Sequence, residues 1–449
     1  MGSGVATKQG MTAASVLNDR AAVLRKVSFR LIPFLFVMFI FNYLDRINIG
    51  FAALTMNKDL ALTATAFGLA TTIFYIGYVA CEIPSNLLMV RYGARVWLAR
   101  ILVSWGFASA ATMLVFNASS LYVARFVVGV MEAGFVPGLL LYLSYWFPAS
   151  HRARANMVLM VAQPVAMAMG AGVSAMILGH AHGLLGLQGW RWLFLIEGVP
   201  TIPLGIMAYF YLSDNPKKAR WLTPGEAELL EGMVAEDKPA ARAKQHGESI
   251  WKQLANIDVL SLSVAYFCLC TTMNVNTTWI PTIVREVLKT RGISYVTLVS
   301  AIPPLCAIFL MPLWAFSSDR KKERCWHVVA ALMLAALGWQ LVTFAKLPEL
   351  RLLGLVFTTC GAFCTMGVFW TVPQSMLSEK ARPAGIAVIS SIGLLGSATS
   401  PTVIGFLRDL TGNFSAGNFY STVLLVCAAL LVLSVVRRQA AARAATGTV

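Results

Sequence analysis

Long apolar runs, each about the length of a membrane-crossing helix, dominate the pattern along the chain. Twelve can be drawn, and each is near the ~20 residues with which an α-helix spans the hydrocarbon core of a bilayer. They cover about residues 31–52, 66–90, 96–116, 120–141, 155–180, 191–212, 256–282, 295–318, 325–345, 352–373, 384–406 and 416–436. The pattern predicts an all-α membrane protein with twelve transmembrane helices.

The longest polar stretch divides these runs into two groups of six, which predicts two pseudo-symmetric six-helix halves. The predicted units are a cytoplasmic N-terminal segment (1–30), an N-terminal bundle (31–212), a cytoplasmic central loop (213–255), a C-terminal bundle (256–437) and a cytoplasmic tail (438–449). Within the loop, a Thr-Pro-Gly-Glu start at 223–226 indicates a short amphipathic helix. Parallel six-helix repeats are a standard architecture of secondary transporters.

Composition and charge narrow the class further. The chain is 58% hydrophobic and 12% charged, with a mean hydropathy of +0.69, whereas a soluble domain has about a quarter of its residues charged. Most of the 36 Lys and Arg residues that give the net charge of +16 fall in alternate inter-helix segments. This asymmetry predicts a multi-pass inner-membrane protein with both termini cytoplasmic, and it argues against nucleic acid as a partner. The polar first thirty residues do not resemble a cleavable signal peptide.

Other features predict no cofactor. The eight cysteines lie mostly within apolar runs and have no spacing typical of disulfides or zinc. The five histidines lie at loops or helix ends, and no phosphate-binding Walker loop is present, so metal binding and direct use of ATP are not expected.

Charged residues within the apolar runs are the candidates for function. A charge at bilayer depth costs at least ~2.5–3.5 kcal/mol on insertion scales, so such residues are rarely there without a role. They are Asp45, Arg46, Glu82, Arg125, Glu132 and Glu197. Each could instead form an inward-facing ion pair that only locks helices together. For Glu197, near the membrane interface, we expect pairing with a loop arginine such as Arg191.

The first and fourth helices bring four of these charges toward one cavity. Arg125 and Glu132 are seven residues apart and share a helix face, while Asp45 and Arg46 are about 100° apart around theirs. Arginine stays charged and grips a carboxylate with paired hydrogen bonds. A carboxylate in a poorly solvated cavity can take up a proton near neutral pH. The combination predicts proton-linked carriage of an organic anion.

Several motifs resemble a known family. YLDRINIGFA at 43–52, RFVVGVMEAGFVPG at 125–138 and GWRWLFLIEGVP at 189–200 resemble the major facilitator superfamily, and within it the anion:cation symporters that include bacterial tartrate, phthalate and sugar-acid permeases. The resemblance extends over residues 30–435. It implies the twelve-helix major facilitator fold and a monomer.

The resemblance also implies roles for individual residues. Arg46 and Gln163 match positions that hold a sugar acid. Asp45 and Glu132 match proton sites, and Arg125 matches an arginine that regulates Glu132 by charge pairing. Aromatic residues of the substrate cavity match Tyr43, Tyr78 and Trp370.

Two departures from the family pattern stand out. Ser390 occupies the place of an asparagine that is common in the eleventh helix, so the ligand can differ. Val90 occupies the place of a loop aspartate after the second helix, whereas the second half keeps Asp319. Three uncharged residues, Asn274, Asn276 and Trp279, either line the cavity or only pack between helices.

The sequence therefore predicts a secondary active transporter, not an enzyme, that imports an organic carboxylate such as tartrate, phthalate or a sugar acid together with protons, by alternating access. Its partners would be the small anion, protons and the lipid bilayer. The alternatives are a sodium-coupled symporter, an anion antiporter, or a ligand-binding membrane sensor.

Overall fold

The computed structural model describes residues 13–236, 256–321, 323–377 and 382–446. The ends of the predicted N-terminal segment and tail, the second part of the central loop, and parts of the turns after the eighth and tenth helices lie outside the described residues.

Twelve helices in the described part of the chain are long and apolar enough to cross a membrane, which confirms the predicted fold class. We number them spans 1 to 12: Asn18–Asp59, Ala64–Tyr92, Ala94–Leu114, Ala118–Trp146, Arg154–His180, Gly189–Tyr211, Ile257–Val287, Ile293–Lys321, Cys325–Phe344, Pro348–Gln374, Ala384–Thr411 and Ser415–Gln439. Spans 1–6 form the N-terminal half and spans 7–12 the C-terminal half.

Span 4 is interrupted directly after Glu132. Its first helix, Ala118–Glu132, ends at Glu132, and a second helix, Phe135–Trp146, follows. Between them Gly134 has φ +83°, and a Cβ there would lie 2.5 Å from Oγ of Ser85 on span 2. Only glycine fits both this backbone conformation and this close approach. The break therefore places Glu132 at the end of a helix deep within the bundle.

The first part of the central loop packs on the N-terminal half. The predicted loop helix is present as Pro224–Glu236. Glu226 accepts a hydrogen bond from Lys26 at 2.7 Å, and Glu236 accepts one from Arg20 at 2.7 Å. The hydrogen bond from the Lys26 ammonium, and to a lesser extent that from the Thr223 N–H, holds the pKa of Glu226 below its usual value. Span 1 begins within a longer helix, Ala13–Asp59, whose polar first part makes these contacts.

The Val90 departure has a structural counterpart. Val90 is exposed, and Asp214, from the loop after span 6, accepts a hydrogen bond from the Arg95 N–H in the first turn of span 3. In the second half Glu323 accepts from the Trp326 N–H at 2.7 Å, in the first turn of span 9. A carboxylate therefore caps the third helix of each half, although the two come from different positions in the sequence.

The two halves pack tightly at the end of the bundle where span 2 begins and span 11 ends. The charge distribution predicts that this end faces outside, and we call it the outer end. Here a Cβ on Gly68 would lie 2.2 Å from the Pro401 carbonyl oxygen, and one on Gly405 would lie 2.2 Å from the Ala64 carbonyl oxygen. The Thr72 hydroxyl donates across the same seam to the carbonyl of Ala398 at 2.6 Å. The glycines allow the two backbones to touch and so close this end.

Candidate functional site

A cavity of about 110 Å³ lies between the two halves. The N-terminal half contributes Tyr43, Arg46, Thr71, Phe74, Tyr75, Arg125 and Gln163, and the C-terminal half contributes Met273, Asn274, Thr277, Thr278, Phe363, Leu394 and Ser397. The wall therefore combines two guanidinium groups with aromatic rings, hydroxyls and amides.

Arg46 is both a wall residue and the ion partner of Glu132. Its Nε donates to Glu132 Oε1 at 2.7 Å, and its Nη2 lies 2.7 Å from the same oxygen. Asn42, one turn earlier on span 1, donates to that oxygen at 2.7 Å. The Glu132 side chain is completely buried, whereas that of Arg46 is 17% exposed. One face of Arg46 thus meets Glu132, and part of the side chain remains open to the cavity.

Asp45 is held separately from its neighbour. Its Oδ1 accepts hydrogen bonds from the Ser109 hydroxyl and, at 3.1 Å, from the Asn48 amide. Its Oδ2 is buried without a hydrogen bond from the described residues. Although Asp45 and Arg46 are adjacent in the sequence, their described partners are different.

The two cavity arginines share one aromatic ring. The Cζ atom of Arg125 is 4.7 Å from the centre of the Phe74 ring, and that of Arg46 is 5.6 Å from it. Arg46 also lies 5.0 Å from the Tyr78 ring and 5.9 Å from the Tyr43 ring. Cation–π contacts of this kind stabilise desolvated guanidiniums without consuming their hydrogen-bond donors. The donors of both arginines are therefore partly available for an anion.

The predicted site residues fall into three groups. Tyr43, Arg46, Arg125 and Gln163 line the cavity, while Asp45 and Glu132 lie behind the wall. Tyr78, Trp370 and Ser390 lie outside the lining and away from the outer end. Each continues the helix face of a lining residue: Tyr78 follows Tyr75, Trp370 follows Phe363, and Ser390 precedes Ser397. Trp370 packs on Tyr266, with ring centres 4.8 Å apart.

Two pairings differ from those expected. The described ion partner of Glu132 is Arg46 rather than Arg125. Glu197 does not meet Arg191: it is buried and accepts a hydrogen bond from Ser174 at 3.1 Å, whereas Arg191 donates to the carbonyl of Met113. The expectation for Glu197 was wrong because its side chain points into the bundle and away from the interface.

Several residues of the site were missed by sequence reasoning. Asn42 and Asn48, which donate to the two carboxylates, flank the Asp-Arg pair within the same apolar run. Amide side chains at bilayer depth are a usable signal, since they need partners there. Ser109 and Tyr75 gave no such signal, because single hydroxyls are common in spanning helices.

Of the three uncharged candidates, one lines the cavity and two do not. Asn274 lines the cavity. Asn276 and Trp279 lie outside the lining, and Trp279 packs between Phe67 and Phe414 with ring centres 5.1 and 5.4 Å away. Among the described residues, no group of three His, Cys, Asp or Glu side chains is placed to hold a metal ion.

Twelve membrane-length helices in two halves around a charged central cavity define a membrane transport protein. The profile of the Major Facilitator Superfamily matches residues 35–401, and the chain belongs to that family. Its members are transporters and not enzymes.

The relatives and solved structures agree with this assignment. A protein of Agrobacterium vitis named "Putative tartrate transporter" is 40% identical over 94% of this chain and 93% of its own length. The inner membrane transport protein RhmT of Escherichia coli is 31% identical over 92% of this chain and 95% of its own. The Escherichia coli xylose transporter XylE has the same fold, with a TM-score of 0.70 at 15% identity, over 90% of this chain and 98% of its own.

Proposed function

We propose that this protein imports an organic carboxylate together with protons, and that Arg46 couples the two. The observation that carries the proposal is that Arg46 faces the cavity and at the same time forms the ion pair with fully buried Glu132. The tartrate transport named for the Agrobacterium vitis relative supports a small carboxylate as the substrate.

The coupling follows from competition for one guanidinium. A substrate carboxylate that binds Arg46 draws it away from Glu132. An ionised Glu132 left in the bundle without its partner would be destabilised by about 3–5 kcal/mol. Protonation of Glu132 removes that penalty, so substrate binding favours proton binding. By thermodynamic reciprocity, a proton on Glu132 raises the affinity for the anion by the same factor.

The hydrogen bonds of the Glu132 carboxylate support Oε2 as the atom that takes the proton. Both described hydrogen bonds to Glu132, from Asn42 and from Arg46 Nε, and the ion-pair contact of Arg46 Nη2 converge on Oε1. Oε2 is buried without a hydrogen bond from the described residues. A proton on Oε2 therefore displaces no existing donor. Asp45 likewise accepts its hydrogen bonds from Ser109 and Asn48 on one oxygen, Oδ1, which supports it as a second proton site.

Alternating access completes the cycle. With both termini cytoplasmic, closure of the outer end corresponds to a state that receives and releases substrate on the inside. Opening of the Gly68 and Gly405 crossings, with closure at the opposite end, would expose the same cavity to the outside. In the state that is open to the inside, Tyr78, Trp370 and Ser390 would line the inner part of the substrate path. We infer that a single chain suffices, because the cavity lies within one copy between its own two halves.

Uptake into proteoliposomes tests the proposal. Labelled tartrate is offered outside the vesicles under three conditions. The first is a pH gradient with the outside more acidic, the second is a sodium gradient with more sodium outside, and the third is no ion gradient but unlabelled anion loaded inside. We expect accumulation only with the pH gradient. We expect Glu132→Gln to abolish the stimulation by the gradient, whereas Glu228→Gln, at an exposed carboxylate on the loop helix, leaves it intact.

The other outcomes assign other mechanisms. Accumulation driven by sodium would replace proton coupling with sodium symport, and uptake that requires an internal anion would indicate antiport. Binding of tartrate without any uptake would favour a ligand-binding sensor. Each of these results would overturn the proposed coupling through Glu132.

A further inference from the structure

The two walls of the cavity differ in charge. Both arginines, Arg46 and Arg125, belong to the N-terminal half. Among the described residues, the C-terminal half contributes no charged side chain to the lining; its polar groups are the amide of Asn274 and the hydroxyls of Thr277, Thr278 and Ser397. A bound acid is therefore oriented, with carboxylate toward the N-terminal half and neutral polar groups toward the C-terminal half.

Asn274 is the one amide side chain of the neutral wall among the described lining residues. It is buried, and its amide nitrogen donates to the Tyr75 hydroxyl oxygen at 2.6 Å, across the interface between the halves. Its amide oxygen accepts from the Thr278 hydroxyl at 3.1 Å, one turn further along span 7. All three residues line the cavity. The amide is thereby fixed in one orientation, with Thr278 as its positioning residue.

Asn274 and Tyr75 keep hydrogen-bond donors and acceptors that their described bonds do not use. An asparagine amide has two donors and an oxygen with two lone pairs, and a tyrosine hydroxyl can donate while it accepts. The described bonds of Asn274 use one donor and one lone pair. A substrate hydroxyl, which both donates and accepts, matches what remains. A second carboxylate, which only accepts and carries charge, matches it less well.

We propose that the cavity selects hydroxy acids, and that Asn274 binds a substrate hydroxyl while the guanidiniums bind the carboxylate. This inference rests on the proposed transport of a carboxylate and specifies its substrate class. A buried site that hydrogen-bonds a substrate hydroxyl discriminates strongly against an analogue that lacks it, since its polar groups are then left unpaired. Unhydroxylated acids of the same charge should bind poorly.

A comparison of tartrate with succinate isolates the hydroxyls, because both are four-carbon dicarboxylates. Affinities are measured by calorimetry on the purified protein, for the natural chain and for Asn274→Leu and Thr278→Val. We expect the natural protein to prefer tartrate by at least about 10-fold, and both variants to lose most of that preference by weakening tartrate binding alone. Thr282→Val is the matched control, since this hydroxyl donates to the Trp279 carbonyl and lies outside the lining.

The selectivity ratio separates a role in recognition from a purely structural one. A structural contact between the halves would, when removed, change both affinities in parallel and leave the ratio unchanged, which would overturn the inference. Equal affinities in the natural protein would also overturn it, with the transport proposal intact. Selective binding without pH-driven uptake would instead refute the transport mechanism and leave the inference standing. Thr278→Val changes only a hydroxyl to a methyl, so the test does not depend on Asn274→Leu being well folded.

Discussion

Substitution of Gly68 by alanine should hold the outer end open. The added Cβ would lie 2.2 Å from the Pro401 carbonyl oxygen, 2.6 Å from its carbon and 2.9 Å from Thr402 Cα. Ordinary carbon contacts are about 3.5–4.0 Å, so the two helices must separate by about 1 Å where they cross. The atoms that the Cβ would meet are all backbone, and the Cβ itself is fixed to its own helix, so neither side can rotate away as a flexible side chain would.

The magnitude follows from overpacking. Forcing extra volume into a packed contact costs about 1–3 kcal/mol, and that penalty applies only when the outer end is closed. The equilibrium constant for outer closure should fall by about 5- to 150-fold. Substrate uptake should fall as well, because the protein then completes the cycle less often.

Spin labels report the closure directly. Lys58→Cys and Lys289→Cys place labels at exposed positions near the outer ends of spans 1 and 7, in a background without other reactive cysteines. We expect Gly68→Ala to shift the distance distribution toward longer separations. Gly172→Ala, on span 5, is the matched control, because a Cβ there meets no atom within 4 Å. If both alanine variants gave the distribution of the parent protein, the proposed role of the glycine crossing would be refuted.

Two further predictions concern contacts outside the cavity. Asp409 accepts hydrogen bonds from the Ala64 and Thr65 N–H groups across the outer seam, at 3.0 and 2.7 Å. Asp409→Ala should lower the equilibrium constant for outer closure by about 5-fold, as for loss of a helix cap worth about 1 kcal/mol, and an unchanged spin-label distance distribution would contradict this. Glu226, whose pKa is lowered by Lys26 and Thr223, contributes stability above the unfolded-state pKa, and this is lost as the pH falls through the lower folded-state pKa. The difference in melting temperature between the natural chain and Glu226→Gln should therefore be largest at pH 7 and should shrink as the pH falls below 4.5. A difference that stays the same over this range would show that Glu226 acts by other means.

The fold was largely predictable from sequence because a bilayer imposes one requirement on every span. Each needs about 20 apolar residues and must satisfy its backbone hydrogen bonds internally. All twelve predicted helices are present, with ends that differ by several residues. The polar first part of the helix Ala13–Asp59 was not predicted, because its pairing with the loop helix depends on residues about 200 positions away.

The site was only partly predictable. Charges at bilayer depth identified Asp45, Arg46, Arg125 and Glu132, since such residues are expensive without a role. Which acid pairs with which base depends on side-chain direction across two helices, and spacing along one helix does not determine it. The same limit applies to Asn274, whose partner Tyr75 lies in the other half.

In the proposed mechanism Arg46 is shared between Glu132 and the substrate, so that binding of the anion places a proton on Glu132. Proton uptake during tartrate binding tests it most directly, by calorimetry of the purified protein at neutral pH in buffers of different ionisation enthalpy. We expect Glu132→Gln to take up about one proton fewer per bound tartrate than the natural protein. The same proton uptake in both proteins would contradict it.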